Sequence, residues 1–146
     1  MRIQQLVSCQ EVAELLRQCG LPDEDILPTR PLRFFGLWDG GGLVAVVGLE
    51  LLGSEGLLRS LAVRPALRNR GIAQALVAHA ESFSIEQGVE RLFLLTTTAE
   101  GFFRRLGYLP ISRDEAPPVI RDTPQFAALC PASAALLCKP VEIERL

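Results

Sequence analysis

The spacing of apolar positions changes along this chain, and each change marks an element. Val12, Leu15, Leu16 and Cys19 fall at i, i+3, i+4 and i+7, which puts them on one face of a helix. Ser8 and Glu11 form a capping box at its start, and Gly20 and Pro22 stop it. Residues 2–7 before it read as a short strand; Asp23 to Leu27 after it read as one helical turn or a mobile loop. Leu32 to Trp38 alternates loosely, as a strand does. Asp39-Gly40-Gly41-Gly42 then supplies the positive φ angles of a hairpin turn. Leu43 to Leu52 is almost continuously apolar, which predicts a strand covered on both faces. Gly53 to Gly56 turns the chain again and Leu57 to Val63 returns, completing an antiparallel meander.

The pattern changes at Arg64-Pro65, which ends the third arm. A helix runs from Ile72 to about Gln87 and stops at Gly88. Arg91 to Thr97 is apolar again, so strand, helix and strand imply a right-handed crossover with 57–63 and 91–97 parallel. Ala99 to Leu106 is a second short helix, closed by Gly107. Tyr108 to Ile111 follows as a strand, Pro117-Pro118 breaks the chain, Thr123 to Leu129 forms a small helix and Ala134 to Lys139 a last strand. The fold class is α/β (α+β): a mixed sheet with an N-terminal antiparallel meander and a parallel central pair, flanked by helices. With no repeat or linker, residues 1–146 are expected to form a single domain.

Composition narrows the classes. With 49% hydrophobic and 22% charged residues, the chain reads as globular and not disordered. A formal net charge of −2 and no basic run interleaved with aromatics speak against nucleic-acid binding. The longest apolar run is too short to span a bilayer, and the first residues lack a signal-peptide pattern, so a cytoplasmic location is the default expectation. Cys9, Cys19, Cys130 and Cys138 contain no C-x-x-C pair, so no structural metal is expected. They read as small buried thiols, or as a soft-metalloid thiolate site if the fold gathers them.

The most specific chemistry lies in Arg68-Asn69-Arg70-Gly71-Ile72-Ala73, between the third arm and the long helix. The first N–H groups of a helix have no intrahelical partner, and the helix dipole adds partial positive charge there. Gly71 lets an anion approach the backbone, and Arg68 and Arg70 add full charges. The stretch is a phosphate cradle.

Three motifs in this order resemble the GNAT superfamily of acetyl-CoA-dependent N-acetyltransferases, over roughly residues 30–112. The first is Leu61-Ala62-Val63-Arg64-Pro65 leading into Arg68–Ala73, similar to R/Q-x-x-G-x-G/A. The second is the following Ala75-Leu76-Val77. The third is Ala99-x-x-Phe102-Phe103-x-x-Leu106-Gly107-Tyr108, similar to A-x-x-F-Y-x-x-x-G-F. The resemblance implies acetyl-CoA as cosubstrate. Its pantetheine arm would lie along Leu61, Ala62 and Val63, and its pyrophosphate on the N–H groups of Arg68, Asn69, Arg70, Gly71, Ile72 and Ala73. A backbone N–H at Leu61 would polarise the thioester carbonyl, and Thr96 would stand where many relatives carry a pantetheine-binding asparagine. Phe103 occupies the place of a tyrosine that in many relatives protonates the leaving thiolate, and it has no proton to give. Tyr108, the chain's only tyrosine, reads as packing.

Gly48-Leu49-Glu50, Leu58-Arg59-Ser60-Leu61, Leu94-Leu95-Thr96-Thr97-Thr98 and Leu129–Ala134 resemble, more narrowly, N-acetyltransferases found with arsenic-resistance genes. The Leu-Thr-Thr run also resembles the acetyltransferase domain of N-acetylglutamate synthases. Both likenesses imply a small acidic amino-acid-like acceptor.

Glu50 interrupts an apolar strand and reads either as the general base or as the partner of Arg59 in a cross-strand ion pair. Arg33, Arg59 and Arg121 are the candidates for binding an acidic substrate, or else are structural. His79, mid-helix beside Leu76 and Phe83, reads as boundary packing, and Phe34, Phe35 and Trp38 read as strand packing before substrate wall. Three functions stay open: an N-acetyltransferase for a small acidic amine, one for other amines or protein N-termini, and a non-catalytic module binding CoA or a metalloid. Small-molecule substrates and a homodimer are the expected partners, with no nucleic acid and no membrane.

Overall fold

The computed structural model describes residues 2–6, 9–21, 23, 32–129 and 133–141. Among them are the strands β1 (Gln4–Gln5), β2 (Leu32–Asp39), β3 (Gly42–Leu52), β4 (Glu55–Val63), β5 (Arg91–Thr96), β6 (Leu109–Ile111) and β7 (Ala135–Pro140). The helices are α1 (Cys9–Gln18), α2 (Ile72–Glu86), α3 (Glu100–Arg105) and α4 (Pro118–Arg121). The strands form one sheet in the order β1-β2-β3-β4-β5-β7-β6, antiparallel except between β4 and β5. This is the mixed sheet expected from the sequence. Ser8, Cys130 and most of the 23–27 segment lie outside the described residues.

The predicted meander is present. Asp39 pairs with Gly42 and Leu52 with Glu55, so each hairpin turns on two residues. Gly53, at φ 73, supplies the left-handed conformation at the second turn. Each residue of β3 from Leu43 to Glu50 is buried, as its continuous apolarity predicts. One face of the sheet receives α2, which buries Leu76, Val77 and Ala80 against Phe35, Ala45, Val47 and Leu49. The other receives α1, whose Val12, Leu15 and Leu16 pack on Phe34, Val46 and Ala62. Each such side chain contributes about 1.5–3 kcal/mol by leaving water. A third cluster, on Ile120 of α4, covers Leu57, Phe93 and Leu136.

Four elements differ from the sequence prediction. Among the described residues the first strand pairs only Gln4 and Gln5, with one more bond from Leu6 N–H to Phe34 O at 2.8 Å. Pro117-Pro118 does not break the chain but starts α4, because the first helical positions need no N–H. The small helix expected over 123–129 is a widened π turn at Gln125–Leu129. The parallel ladder is also shorter than 57–63 with 91–97: it joins Glu55 to Arg91, Gly56 to Leu92 and Leu57 to Phe93 only.

A β-bulge accounts for that shortening. Val46 pairs with Ala62 and Gly48 with Arg59, so β4 carries one extra residue opposite Val47. Ser60 takes up the excess in the left-handed region, at φ 56, where non-glycine residues are uncommon. A bulge bends its strand and increases its twist. Beyond Leu57, β4 stays paired with β3, while β5 stays paired with β7 as far as Thr96. The two parallel strands therefore part, and the gap between them opens at the end facing the start of α2.

The far side of the sheet is closed by a polar latch. Gly107 (φ 99) ends α3, where Tyr108 N–H donates to Phe103 O at 3.1 Å. The Tyr108 hydroxyl donates to Glu81 Oε2 at 2.8 Å, and Lys139 Nζ donates to the same oxygen at 2.9 Å. Tyr108 is buried, and burial beside the Glu81 carboxylate raises its pKa well above the ordinary phenol value. A folded pKa raised above the unfolded value of about 10 leaves stability intact below that pH and erodes it above. Because the chain has one tyrosine, its near-ultraviolet phenolate absorbance reports this site alone. In an alkaline titration the phenolate signal is expected to appear only together with unfolding; a reversible transition near pH 10 in folded protein would contradict the latch.

Candidate active site

The gap between β4 and β5 is a cleft with two lobes. The first, about 410 Å³, has walls from Leu58 to Leu61 of β4, Leu94 to Thr96 of β5, the Thr97–Ala99 link, Phe103, Gln125 and Ala134. The second, about 720 Å³, is bounded by Leu61 to Val63, by the loop and first turn of α2, and by Phe102 and Arg105 of α3. Leu21, Leu61, Thr98 and Ala99 belong to both.

The second lobe contains the predicted phosphate cradle. Gly71 stands at the N-cap of α2 with φ 78, and no side chain caps the first turn. A Cβ on Gly71 would meet no atom within 4 Å, so open space lies over the helix start. Asn69 is also left-handed, at φ 65. Arg68 Nε donates to Val63 O at 3.0 Å and ties this loop to the end of β4. Uncapped N–H groups beside open space and an arginine suit a phosphorylated ligand. Arg68, Asn69, Gly71, Ile72 and Ala73 line the lobe with Ala62 and Val63, whereas Arg70 is exposed and lies outside its wall.

The first lobe is apolar on its strand sides and carries one charged side chain, that of Arg59. Arg59 is 5% exposed and Glu50 is fully buried. Arg59 Nη1 lies 3.9 Å from Glu50 Oε1, and Arg59 Nε donates to Ser60 Oγ at 2.9 Å. The cross-strand pair read from the sequence is thus present. Gly48 makes room for it: a Cβ there would lie 2.8 Å from Phe34 Cε1 and 3.2 Å from Arg59 Cγ. Glu50 itself does not line the cleft. Arg33 is exposed on β2 and Nη1 donates to its neighbour's carbonyl, Leu32 O, at 3.1 Å; Arg121 is exposed on α4. Neither belongs to the cleft wall.

Thr96 lines the first lobe, and its Oγ1 accepts from Ala99 N–H at 2.9 Å, so it also holds the link into α3. Phe103 is buried at the lobe's end, edge-to-face with Phe102 and Tyr108 at ring-centroid distances of 5.0 and 5.7 Å. Tyr108 is turned to Glu81 and is not a wall residue. His79 packs edge-to-face on Phe35 at 4.8 Å, and Trp38 Nε1 donates to Glu11 at 3.1 Å, both consistent with packing roles. Cys19 is half-buried and lines the second lobe; Cys138 is half-buried on β7, where burial pushes its thiol pKa up. Among the described residues, no three His, Cys, Asp or Glu side chains gather as a metal site. No described helix is long and apolar enough to cross a membrane.

Sequence reasoning did not single out Gln74, Arg105 or Gln125, and it quoted Thr98 and Phe102 only within motifs; all five line the cleft. Arg105 faces the cradle because α3 carries it one turn beyond Phe102. Gln125 fell within the helix expected over 123–129, and nothing in that segment marked it as a wall residue.

Removing one member of a buried ion pair strands the other's charge. Arg59→Met is expected to cost about 3 kcal/mol of stability in urea denaturation. Adding Glu50→Gln should recover part of that loss; equal losses in the single and double variants would show that the pair contributes nothing.

The comparisons with known proteins agree with this geometry. A model of the Acetyltransferase (GNAT) family matches residues 2–108. An uncharacterized N-acetyltransferase of Chlorobaculum tepidum is 45% identical over 60 residues, which are 41% of this chain and 38% of that protein. N-acetylglutamate synthase of Neisseria gonorrhoeae, solved with coenzyme A and L-arginine, superposes with a TM-score of 0.77 and 23% identity. That match covers 96% of this chain and 33% of the synthase. An aminoglycoside 6′-N-acetyltransferase solved with coenzyme A superposes with a TM-score of 0.74 and 16% identity, over 100% of this chain and 99% of its own. This chain thus spans about a third of the synthase, and the two structural likenesses concern the fold alone. Since the family model covers most of the chain, the chain belongs to the acetyltransferase (GNAT) family.

Proposed function

We propose that this chain transfers an acetyl group from acetyl-CoA to the amine of a small, acidic, amino-acid-like acceptor. The observation that carries the reading is the continuity of the cleft: an uncapped helix start in one lobe, a parted strand edge between, and a buried arginine in the other. The finer choice is glutamate, or its arsenic- or phosphorus-containing analogues. It is supported by the arsenic-resistance resemblance in the sequence and by an arginine in a lobe of amino-acid size.

Acetyl-CoA, when bound, supplies an activated acyl group on a thiol leaving group. The chain's own part is to bind and orient. The N–H groups of residues 69–73, with Arg68, receive the pyrophosphate; Arg70, outside the lobe's wall, adds only long-range positive charge. The backbone N–H of Leu61, beside the β4 bulge, is the proposed donor that polarises the thioester carbonyl. Arg59 holds the acceptor's acid group, and Glu50 fixes the guanidinium. Arg33 and Arg121, exposed and absent from the cleft wall, have no part in this arrangement. Glu50 remains the proposed general base; it does not line the cleft, so the amine's proton would reach it through a bridging water and not by direct contact.

The demand on a base is intermediate for the proposed acceptor. Holding an α-amine of pKa ~8 neutral at pH 7 costs roughly 1.4 kcal/mol and a lysine side chain roughly 4.6, and a free amino acid falls between these because its own carboxylate raises the amine pKa. Phe103 and the committed hydroxyl of Tyr108 offer no proton to the thiolate. A thiol of pKa ~8.5 leaves as an anion without much penalty. The same two residues favour a second reading, a module that binds CoA without turnover.

An assay of thiol release from acetyl-CoA, run against acidic, neutral and basic amino acids, separates these. Release is expected with acidic amino acids and not with lysine side chains. Glu50→Gln should displace the acid limb of the pH–rate profile, and an unchanged profile removes Glu50 as base. Tight acetyl-CoA binding with no release on any amine would leave the non-catalytic module.

A further inference from the structure

We infer that Ser60 determines acceptor specificity: its hydroxyl, braced by Arg59, donates to the α-carboxylate of an amino acid in the first lobe and so directs acetylation to the α-amine. The inference rests on the acetyl-transfer reading for what enters that lobe. The first observation is backbone strain. Ser60 sits in the left-handed region at φ 56, which glycine would occupy at no steric cost. Outliers of this kind persist only where the surrounding structure enforces them, and they cluster at functional sites. The second observation is placement: Ser60 lines the first lobe between Arg59 and Leu61.

In a regular strand successive side chains point to opposite faces and do not meet. Arg59 and Ser60 do meet, since Arg59 Nε donates to Ser60 Oγ at 2.9 Å. The bulge and the left-handed turn at Ser60 bring the two side chains to one side. A hydroxyl has one proton to donate. A bond from a guanidinium into its oxygen polarises that proton and strengthens it as a donor. Among the described residues no acceptor takes the Ser60 proton. This part of the wall thus carries a cation and a strengthened O–H side by side, which suits an anionic oxygen and disfavours an ammonium.

Adjacency in the chain selects which acid group meets the hydroxyl. Leu61, the proposed donor to the thioester carbonyl, is the next residue, its Cα about 3.8 Å from that of Ser60. The attacking amine must stand at that carbonyl, so an acid group held on Ser60 is one close to the amine. In an α-amino acid the α-carboxylate is separated from the amine by a single carbon, whereas the side-chain acid of glutamate stands further off. The acceptor class is therefore the α-amino acid with its carboxylate free. Peptide N-termini, α-amides and amino acids with amine and acid at opposite ends leave the hydroxyl without its anion. A site built to hydrogen-bond a group discriminates against analogues that lack it.

The test compares wild type, Ser60→Ala and Ser60→Gly with glutamate, its α-amide isoglutamine, and γ-aminobutyrate. Alanine removes the hydroxyl and keeps the strain; glycine removes both, so it supplies a folded variant should alanine destabilise the chain. Two readouts are taken: steady-state thiol release, and the thermal shift each compound induces in CoA-saturated protein. Both variants are expected to lower kcat/KM for glutamate by about tenfold or more, the loss of a hydrogen bond to a charged group. The wild-type preference for glutamate over isoglutamine and γ-aminobutyrate should shrink by the same factor, with the acetyl-CoA KM unchanged within about twofold. Where thiol is released, an unchanged glutamate-to-isoglutamine ratio overturns the assignment and leaves acetyl transfer standing, as does a loss that falls on the acetyl-CoA KM. A loss in Ser60→Ala that Ser60→Gly restores also overturns it, because the cause is then the backbone and not the hydroxyl. Where no thiol is released, the thermal shifts decide. Glutamate binding weakened in both variants upholds the assignment and rejects acetyl transfer; binding that is unchanged, or absent throughout, rejects both.

Discussion

The extra residue at Ser60–Leu61 is the constraint on which the rest of the structure depends. A parallel pair in an open sheet would ordinarily zip along its length, burying both strands and leaving no room for a ligand. Here the bulge keeps β4 on β3 while β5 follows β7, and the ladder ends after three rungs. Glu55 and Arg91 form an ion pair on the first rung and hold the closed end. The parting lies beside the start of α2, so the two lobes of the cleft and the phosphate cradle follow from one local irregularity in register.

The same bulge brings charge into the interior. Arg59 immediately precedes it, opposite Gly48, and the missing side chain there lets the guanidinium stem run across β3 toward Glu50. A buried pair of this kind seldom adds net stability over apolar residues of equal volume, because desolvation offsets the attraction. What it supplies is a fixed direction for a cation at the cleft wall. The apolar sheet faces around it carry the stability of the fold.

Much of this was legible in the residues. Two-residue hairpins at glycine-rich turns, the uncapped glycine at the mouth of α2 and the glycine stops after α2 and α3 have local causes, and local causes leave local signals. The bulge did not, because its left-handed residue is Ser60 where glycine or asparagine would have been the signal. Arg33, Arg59 and Arg121 looked alike in the sequence. Only strand register and helix placement separate the buried one from the two exposed ones. Gln125 fell within an expected helix where nothing marked it as a wall residue, and Arg70 looked as apt as Arg68 until the loop aimed one at Val63 and the other at solvent.

Strand order carries a consequence for how the chain is assembled. β7 lies between β5 and β6, and β6 is paired with β7 alone among the described strands. During synthesis, the meander, α2 and β5 can dock in the order they are made, since their contacts are mostly between neighbours in sequence. β6 must wait as an unpaired edge until residues 135–140 are inserted beside it. Until then the Lys139 arm of the latch and the Ala134 part of the cleft wall do not exist either. The nascent protein thus holds the open start of α2 well before the first lobe of the cleft is complete, and an interruption late in translation leaves a sheet edge open to pairing with other chains.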